Sequence, residues 1–499
     1  MREETRDKSS QAPRRSALRS GLVTGLALVV LGGSGAAGAA YLAQEFGRTA
    51  ETDGLLAGYA VYLVLTIAAQ SFRFVVLPDA TRAAATGRLP AETRAYALSV
   101  LLLAVPVTAL TAALADPLGE LITGSLPHRA ASICASALPW YVAAAFLQLL
   151  GGVCASALAA VDSYAVAACG TAAGGAGGLL FFVVVSQSHG VIALAWGLAL
   201  NGALALGIPL AALARRGLLT GGGHVPLAPL PRLWSLVQGA ALPVAFQGFY
   251  LVGLRLAAAL GIGQVTSLSY AYVLAATLVS VTAFALGLIS SAPLTRRGVD
   301  AEGAVAHVVH AAWVSLTLVG AAAGVFAVVG GRIVHGVLGS AYAGEVGANL
   351  GRLVVELSPW MILAATFYGL FPLVFVLDVR RVLVAVAVVS LAVDAAVSYG
   401  FRVAWGLAGL AFGLAVPTAL VVAVLLWEVS HRALRAGAFA LARLAVVVGA
   451  AAVGGFWLAS VVVSPIPAAV LGTVLYGLLL VAAKPLGLGE AWAYVRALH

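Results

Sequence analysis

Stretches of about 20 apolar residues follow one another along nearly the whole of this chain, and they leave it one way to fold. Inside hydrocarbon no water satisfies a backbone N–H or C=O, so a crossing segment closes its hydrogen bonds as a helix or in a closed barrel. Runs of this length cross as helices. They read as 20–43, 55–77, 95–115, 131–153, 164–186, 190–213, 235–260 and 266–291, then 303–330, 351–376, 382–400, 404–428, 438–462 and 466–483. Of the 499 residues only 9% are charged, where a soluble chain carries roughly a quarter. The first run is too long for the apolar core of a signal peptide, and the basic stretch before it extends to Arg19, so it reads as a span rather than a cleaved leader.

Lys and Arg set the orientation. With the amino terminus in the cytoplasm, 21 of the 28 basic residues fall on the inner side and six on the outer, with Arg73 inside the second run. The expectation is a bacterial cytoplasmic-membrane protein, multi-pass, with both termini cytoplasmic. The same residues account for the net charge of +9, and a basic inner face holds anionic lipid headgroups. Membrane lipids are therefore expected partners and nucleic acid is not.

The chain also repeats itself. Leu138-Pro139-Trp140 and Ser358-Pro359-Trp360 each stand in an apolar run. Tyr59-Ala60-Val61-Tyr62 leads to Pro78, and Tyr270-Ala271-Tyr272 leads to Pro293, so that the second pair of prolines is separated by nearly the same length of chain as the first. Two marker pairs in one order at nearly one offset indicate homologous halves, which in membrane chains is the architecture of transporters. The expected fold is an all-α polytopic membrane protein with about 14 transmembrane helices, in two six-helix lobes plus a C-terminal helix pair. Its expected parts are a disordered basic cytoplasmic tail (1–19), an N-terminal lobe (20–214) and a Gly/Pro-rich cytoplasmic linker (215–232). A C-terminal lobe (233–430) and the extra helix pair with its tail (431–499) follow.

An ionisable group within a span is costly and is by default a functional candidate. Arg73 and Asp394 are the deepest, Arg255 lies toward the outer end of the seventh run, and Glu356 near the outer end of the tenth. Arg73 in a water-filled cavity could hold an anionic group; the structural alternatives are a pair with Asp394 or snorkelling to the inner surface. Glu356 follows Arg352 by four residues, a helical pairing distance. Gln70, Gln148, Gln238, Gln247 and Asn201 could line a polar path, although each singly also reads as an interhelical hydrogen bond. Glycine clusters at Gly32, Gly33, Gly35 and Gly38, and again at Gly170, Gly174, Gly175, Gly177 and Gly178, as packing surfaces or as bending elements. Cys134, Cys154 and Cys169 have no metal-ligand spacing and read as small packing residues. His307 and His310 are three apart without a third ligand nearby, and neither a phosphate-cradling loop nor a nucleophile elbow is present. An enzyme is not expected, and neither a metal nor another cofactor.

Residues 41–82 carry a family resemblance. Phe46-Gly47, Thr52-Asp53, Tyr59 and the exit at Pro78 resemble the first-to-second helix segment of MviN/MurJ-type lipid II flippases. Gln264-Val265-Thr266-Ser267-Leu268-Ser269-Tyr270-Ala271, ending around Pro293, is similar to the matching stretch of that family's second half. The resemblance implies the two-lobed fold of the multidrug/oligosaccharidyl-lipid/polysaccharide (MOP) exporter superfamily, in which helices 1, 2, 7 and 8 line a central cavity. Family members bear cavity arginines in the first and second helices and a charge pair in the eighth. Here Gly32 and Gly38 occupy the first stretch and the eighth reads Tyr270-Ala271-Tyr272-Val273; Asp53 alone carries across, as a marker of the outer loop. A fold can be inherited without its substrate.

The expected function is a flippase or exporter that moves a lipid-linked saccharide, or another amphipathic molecule, by alternating access. Arg73 and Arg255 are its candidate contacts to an anionic headgroup. The resemblance adds cell-wall and peptidoglycan biogenesis or polysaccharide export as context. One rival is a cation-coupled drug or metabolite exporter of the same fold, coupled through Asp394. The other is a transport-inactive scaffold for cell-envelope biosynthesis proteins.

Overall fold

The computed structural model describes residues 23–493, except 24, 28, 43, 47–48, 124–126, 224, 261–263, 298–299, 339–343, 430, 485–488 and 491–492. The expected tail over 1–19 lies outside these residues. Every described element is helical. The chain divides into two compact units, 1–244 and 245–499, with the boundary beside Pro243.

The first unit holds α1 (Gly25–Leu42), α2 (Ala50–Ala85), α3 (Leu89–Ala113) and the short α4 (Ala115–Thr123). It continues through α5 (His128–Ala160), α6 (Tyr164–His189), α7 (Ala193–Arg215) and the first half of α8 (Pro229–Ala258). The second unit takes up the rest of α8, then α9 (Gln264–Val279), α10 (Ala285–Arg297), α11 (Ala301–Leu338) and α12 (Glu345–Glu356). After these come α13 (Ser358–Val376), α14 (Leu383–Val429), α15 (His431–Val462) and α16 (Pro465–Ala482).

Eleven described helical stretches are long and apolar enough to cross a membrane. Two of these, Tyr164–Arg215 and Arg380–Val429, are each a pair of crossings joined at a glycine of positive φ, Gly190 and Gly406. One more crossing runs through α9, a five-residue π-helical segment (Ser280–Phe284) and α10. The described residues thus provide the fourteen crossings read from hydropathy, and the chain is a multi-pass membrane protein. Apolar side chains such as Trp457 (63% exposed) and Val462 (72% exposed) face outward from α15, where a bilayer covers them at no cost.

Helix boundaries follow local chemistry. Thr49 caps α2, its Oγ1 accepting from the Thr52 N–H at 3.2 Å. Proline at the first turn opens α3, α13 and α16, where its missing N–H is not needed. In the first unit α5 is buried along most of its length, against α2, α3 and α7. Tyr141 is fully buried there and donates from Oη to the Leu55 carbonyl at 3.2 Å. The second unit packs around Phe246, Phe249, Phe367, Phe371 and Phe375, with the Phe246 and Phe367 rings 4.5 Å apart.

The repeat is visible in the backbone itself. Asp162 and Asp378 both adopt positive φ (60° and 57°) just past α5 and α13. One residue later, Ser163 N donates to Leu158 O and Val379 N to Val374 O, each at 2.9 Å. Both helices therefore end in the same six-residue turn. Gly190 and Gly406 are set apart by the same length of chain as the two aspartates, with similar angles, φ 67° with ψ −151° and φ 59° with ψ −130°. The Pro-Trp markers stand about one helical turn out of this register. The displacement has a visible effect: Pro139 lies inside the continuous α5, whereas Pro359 follows a break that separates α12 from α13.

The stretch from Arg215 to Arg232 is pinned rather than loose. Arg94 on α3 donates from Nη1 to Leu219 O at 2.7 Å and from Nη2 to Gly221 O at 2.9 Å. Arg232 pairs with Glu92 at 2.9 Å, donates to Pro226 O at 2.9 Å, and stacks over the Tyr96 ring at 5.1 Å. The Arg232 and Glu92 side chains are only 12% and 19% exposed. Removing one partner of so buried a pair strands the other. Arg232→Ala should therefore cost about 2–3 kcal/mol and speed protease cleavage near Gly221–Gly223, read by limited proteolysis in membranes. Cleavage at the wild-type rate would mean the clamp does not hold the linker.

Candidate functional site

The first unit holds a partly open cavity of about 260 Å³ among α1, α2, α5, α6 and α7. Its walls come from a regular face of α2: Tyr59, Tyr62, Thr66 and Gln70 follow one another at three- and four-residue steps and all line it. Gln148 on α5 and Asn201 on α7 complete the polar lining, and Ser34, Gly35 and Gly38 on α1 close one side. No charged residue lines it among the described residues. Gln148 donates from Nε2 to Tyr62 Oη at 2.7 Å. Tyr59, Tyr62 and Tyr141 form an aromatic cluster with ring centroids 5.5 to 6.1 Å apart.

Glycines make this enclosure narrow. A Cβ on Gly178 would lie 2.5 Å from the Gly197 carbonyl oxygen, and one on Gly174 would lie 2.5 Å from Asn201 Oδ1. The second glycine cluster is thus a packing surface between α6 and α7. The first behaves differently: Gly32, Gly33 and Gly35 face open space, and Gly38 comes only within 3.6 Å of Leu179.

Arg73 sits one turn past Gln70 on α2. Its Nε is shielded from solvent and has no hydrogen-bond partner, and the side chain forms no ion pair among the described residues. Asp394, the partner that the structural alternative gave it, belongs to the other unit. The stem of Arg73 passes over α5 at Gly152, where an added Cβ would lie 3.2 Å from Arg73 Cγ. Gly152 is a residue the sequence reading missed, since the Gly151-Gly152 pair in an apolar helix carries no signal of what crosses it. Asp53 lies in the first turn of α2, and its side chain is outside those described.

In the second unit Arg255 is exposed in the last turn of α8. Asp394 is fully buried in α14 between Ser390 and Ser398, both also buried and each four residues away on the same face. Its Oδ1 accepts from the Ser398 hydroxyl at 3.1 Å, while Oδ2 has no partner among the described residues. The register set by Asp162 and Asp378 places Ser390, Asp394 and Ser398 at the positions of Gly174, Gly178 and Phe182. Where the first unit brings two glycine backbones together, the second holds a carboxylate. Gly413, the counterpart of Gly197, still makes the close approach, with an added Cβ 2.5 Å from Ser398 Oγ.

Other expectations resolve differently. Glu356 and Arg352 form no ion pair among the described residues, although their spacing allows one. Glu356 instead lines a cavity of about 780 Å³ between α11, α13 and α15, apolar except for Glu356, Ser358 and Ser460. Both residues lie within α12, Glu356 as its last residue, so the spacing brings them near one another without an ion-pair contact. Cys134 and Cys154 are buried as expected of packing residues, whereas Cys169 is exposed. His307 is fully buried, with Nε2 3.3 Å from Ser290 Oγ.

No protein-family model and no curated protein sequence matches the chain. Solved structures do. The inward closed conformation of the lipid II flippase MurJ superposes with a TM-score of 0.63 at 11% identity, covering 94% of this chain and 98% of that one. An outward-facing multidrug resistance MATE family transporter of the MOP superfamily gives 0.66 at 13% identity, over 87% and 96%. A MOP superfamily transporter from Pyrococcus furiosus gives 0.62 at 13% identity, over 87% and 96%. The chain therefore has the fold these transporters share, as the residues around Asp53 and Tyr270 suggested.

Proposed function

We propose that this protein is a flippase or exporter of the bacterial cytoplasmic membrane, with both termini in the cytoplasm. It translocates a lipid-linked saccharide or a similar amphipathic molecule by alternating access. The observation that carries the reading is Arg73, a half-buried cation within a membrane-crossing helix, whose Nε is shielded and which has no acidic partner among the described residues. A cation in that position is costly to keep, and an anionic headgroup such as a pyrophosphate offsets the cost. Arg255, exposed in the second unit, is the other candidate for contact with an anionic headgroup, and Asp53 marks the outer loop. Polyprenyl-linked saccharides of cell-wall or surface-polysaccharide assembly have the required chemistry.

The test is flipping of a fluorescent polyprenyl-pyrophosphate saccharide in proteoliposomes, wild type beside Arg73→Ala. A charge-assisted contact is worth about 1.5–3 kcal/mol, so the variant should flip at least about tenfold more slowly at normal membrane abundance. Equal flipping in both would remove Arg73 from the headgroup site. Lost abundance would make its role structural.

One observation favours a second reading. Asp394 is buried with one carboxylate oxygen unpartnered, which suits a group that takes up a cation during the cycle. It is the candidate coupling residue of either a flippase or a drug and metabolite exporter.

A further inference from the structure

The lining of the first-unit cavity combines three features: size, neutrality and unspent hydrogen-bonding capacity. Asn201 is only 7% exposed, and its amide makes no hydrogen bond to any described residue while it faces the cavity. The exposed Gln70 and the half-buried Tyr59 hydroxyl line the same space without a described partner, and the half-buried Gln148 spends only its Nε2 on Tyr62. A buried amide is normally paired, so Asn201 is the group whose open capacity calls for a ligand, with the other three at the same opening. Four neutral groups left open around one void of about 260 Å³ describe the outline of a ligand. That ligand is uncharged, because an ion entering a lining without an opposite charge would lose its hydration uncompensated. It carries both donors and acceptors, because the lining offers amide N–H, amide C=O and phenolic O–H. It also has an apolar edge, because Tyr59, Tyr62 and Phe182 supply ring surface.

We propose that this cavity binds one neutral, hydrogen-bonding unit of the transported molecule, of the size and chemistry of a single sugar ring or its amide substituent. The inference rests on the transport reading above and extends it. Arg73, one turn past Gln70, holds the anionic linkage, and the adjoining cavity reads the first saccharide. Tyr59 and Asn201 are then specificity-determining contacts, and Gly174 and Gly178 are glycines because the cavity wall needs α6 and α7 in backbone contact.

The experiment compares two probes on the full-length protein in nanodiscs: a short-chain polyprenyl pyrophosphate bearing one N-acetylhexosamine, and the same polyprenyl pyrophosphate without sugar. The sugar-bearing probe should bind at least about tenfold more tightly, the equivalent of one or two well-made neutral hydrogen bonds. Tyr59→Phe, which keeps the ring, and Asn201→Leu should together erase that advantage and leave the bare probe unchanged. Arg73→Ala should weaken both probes alike. Equal binding of the two probes to wild type would make the cavity a hydrated void and overturn this inference while leaving the transport reading standing. Binding of neither probe would overturn both. Displacement of the sugar-bearing probe by dodecyltrimethylammonium, with the bare probe unaffected, would assign the cavity to cations and overturn the neutral site. Should Asn201→Leu fail to fold, Tyr59→Phe alone decides, with about a fivefold loss expected for the sugar-bearing probe only.

Discussion

Gly178→Leu is expected to remove folded protein from the membrane, whereas Gly207→Leu, on the neighbouring helix α7, is expected to be tolerated. A Cβ on Gly178 would sit 2.5 Å from the Gly197 carbonyl oxygen and 3.1 Å from Asn201 Cβ. The first obstacle is backbone, which no rotamer change can move aside. α6 and α7 would have to separate, breaking the contact at Gly174 and Asn201 as well. Overpacking alone costs about 1–3 kcal/mol, and in a membrane, where helix association rests on close packing, parting the pair adds to it. Gly207 meets nothing within 4 Å, so leucine there only gains helix propensity, roughly 0.8 kcal/mol. Detergent-extracted yield by size-exclusion chromatography and the melting temperature read the difference. If the two variants behave alike, α6 and α7 do not approach as described.

Asp394→Asn should uncouple transport from an imposed proton or sodium gradient without lowering the melting temperature. An ionised carboxylate at full burial, with one hydroxyl at 3.1 Å and one oxygen unpartnered, pays a desolvation cost of several kcal/mol. The neutral amide keeps the shape and sheds the charge, so stability should hold or rise by about 1–3 kcal/mol. Transport driven by substrate gradient alone should persist. A variant that melts lower and still follows the ion gradient would make Asp394 a packing residue and end its candidacy as the coupling group.

Much of the fold was legible because its determinants are local. Hydropathy decides that a segment crosses as a helix, and prolines such as Pro359 and Pro465 mark first turns wherever they fall. The repeat was legible through Pro139 and Pro359, but its true register was not. Asp162 and Asp378 adopt left-handed backbone, and nothing in those residue types distinguishes them from aspartates in any turn. The spacing of Arg352 and Glu356 suggested a pair, and α12 does carry both on one helix, but i,i+4 spacing fixes only proximity and the rotamers that would close an ion pair are not set by it.

The candidate site divides along the same line. Sequence alone named Arg73, Asp394, Gln70, Gln148 and Asn201, since a polar group in an apolar run stands out against its neighbours. Their company was decided by tertiary structure. Gln70, Gln148 and Asn201 belong to three helices, α2, α5 and α7, and line one cavity whose wall is completed where Gly174, Gly178 and Gly197 let α6 and α7 meet. The stem of Arg73 lies close over residue 152 of another helix, which has no side chain, and a Cβ there would crowd it. Helix identity depends on residues a few positions apart, which any reading of the chain contains. A cavity depends on which helix faces meet, and that is set by the packing of side chains far apart in the chain.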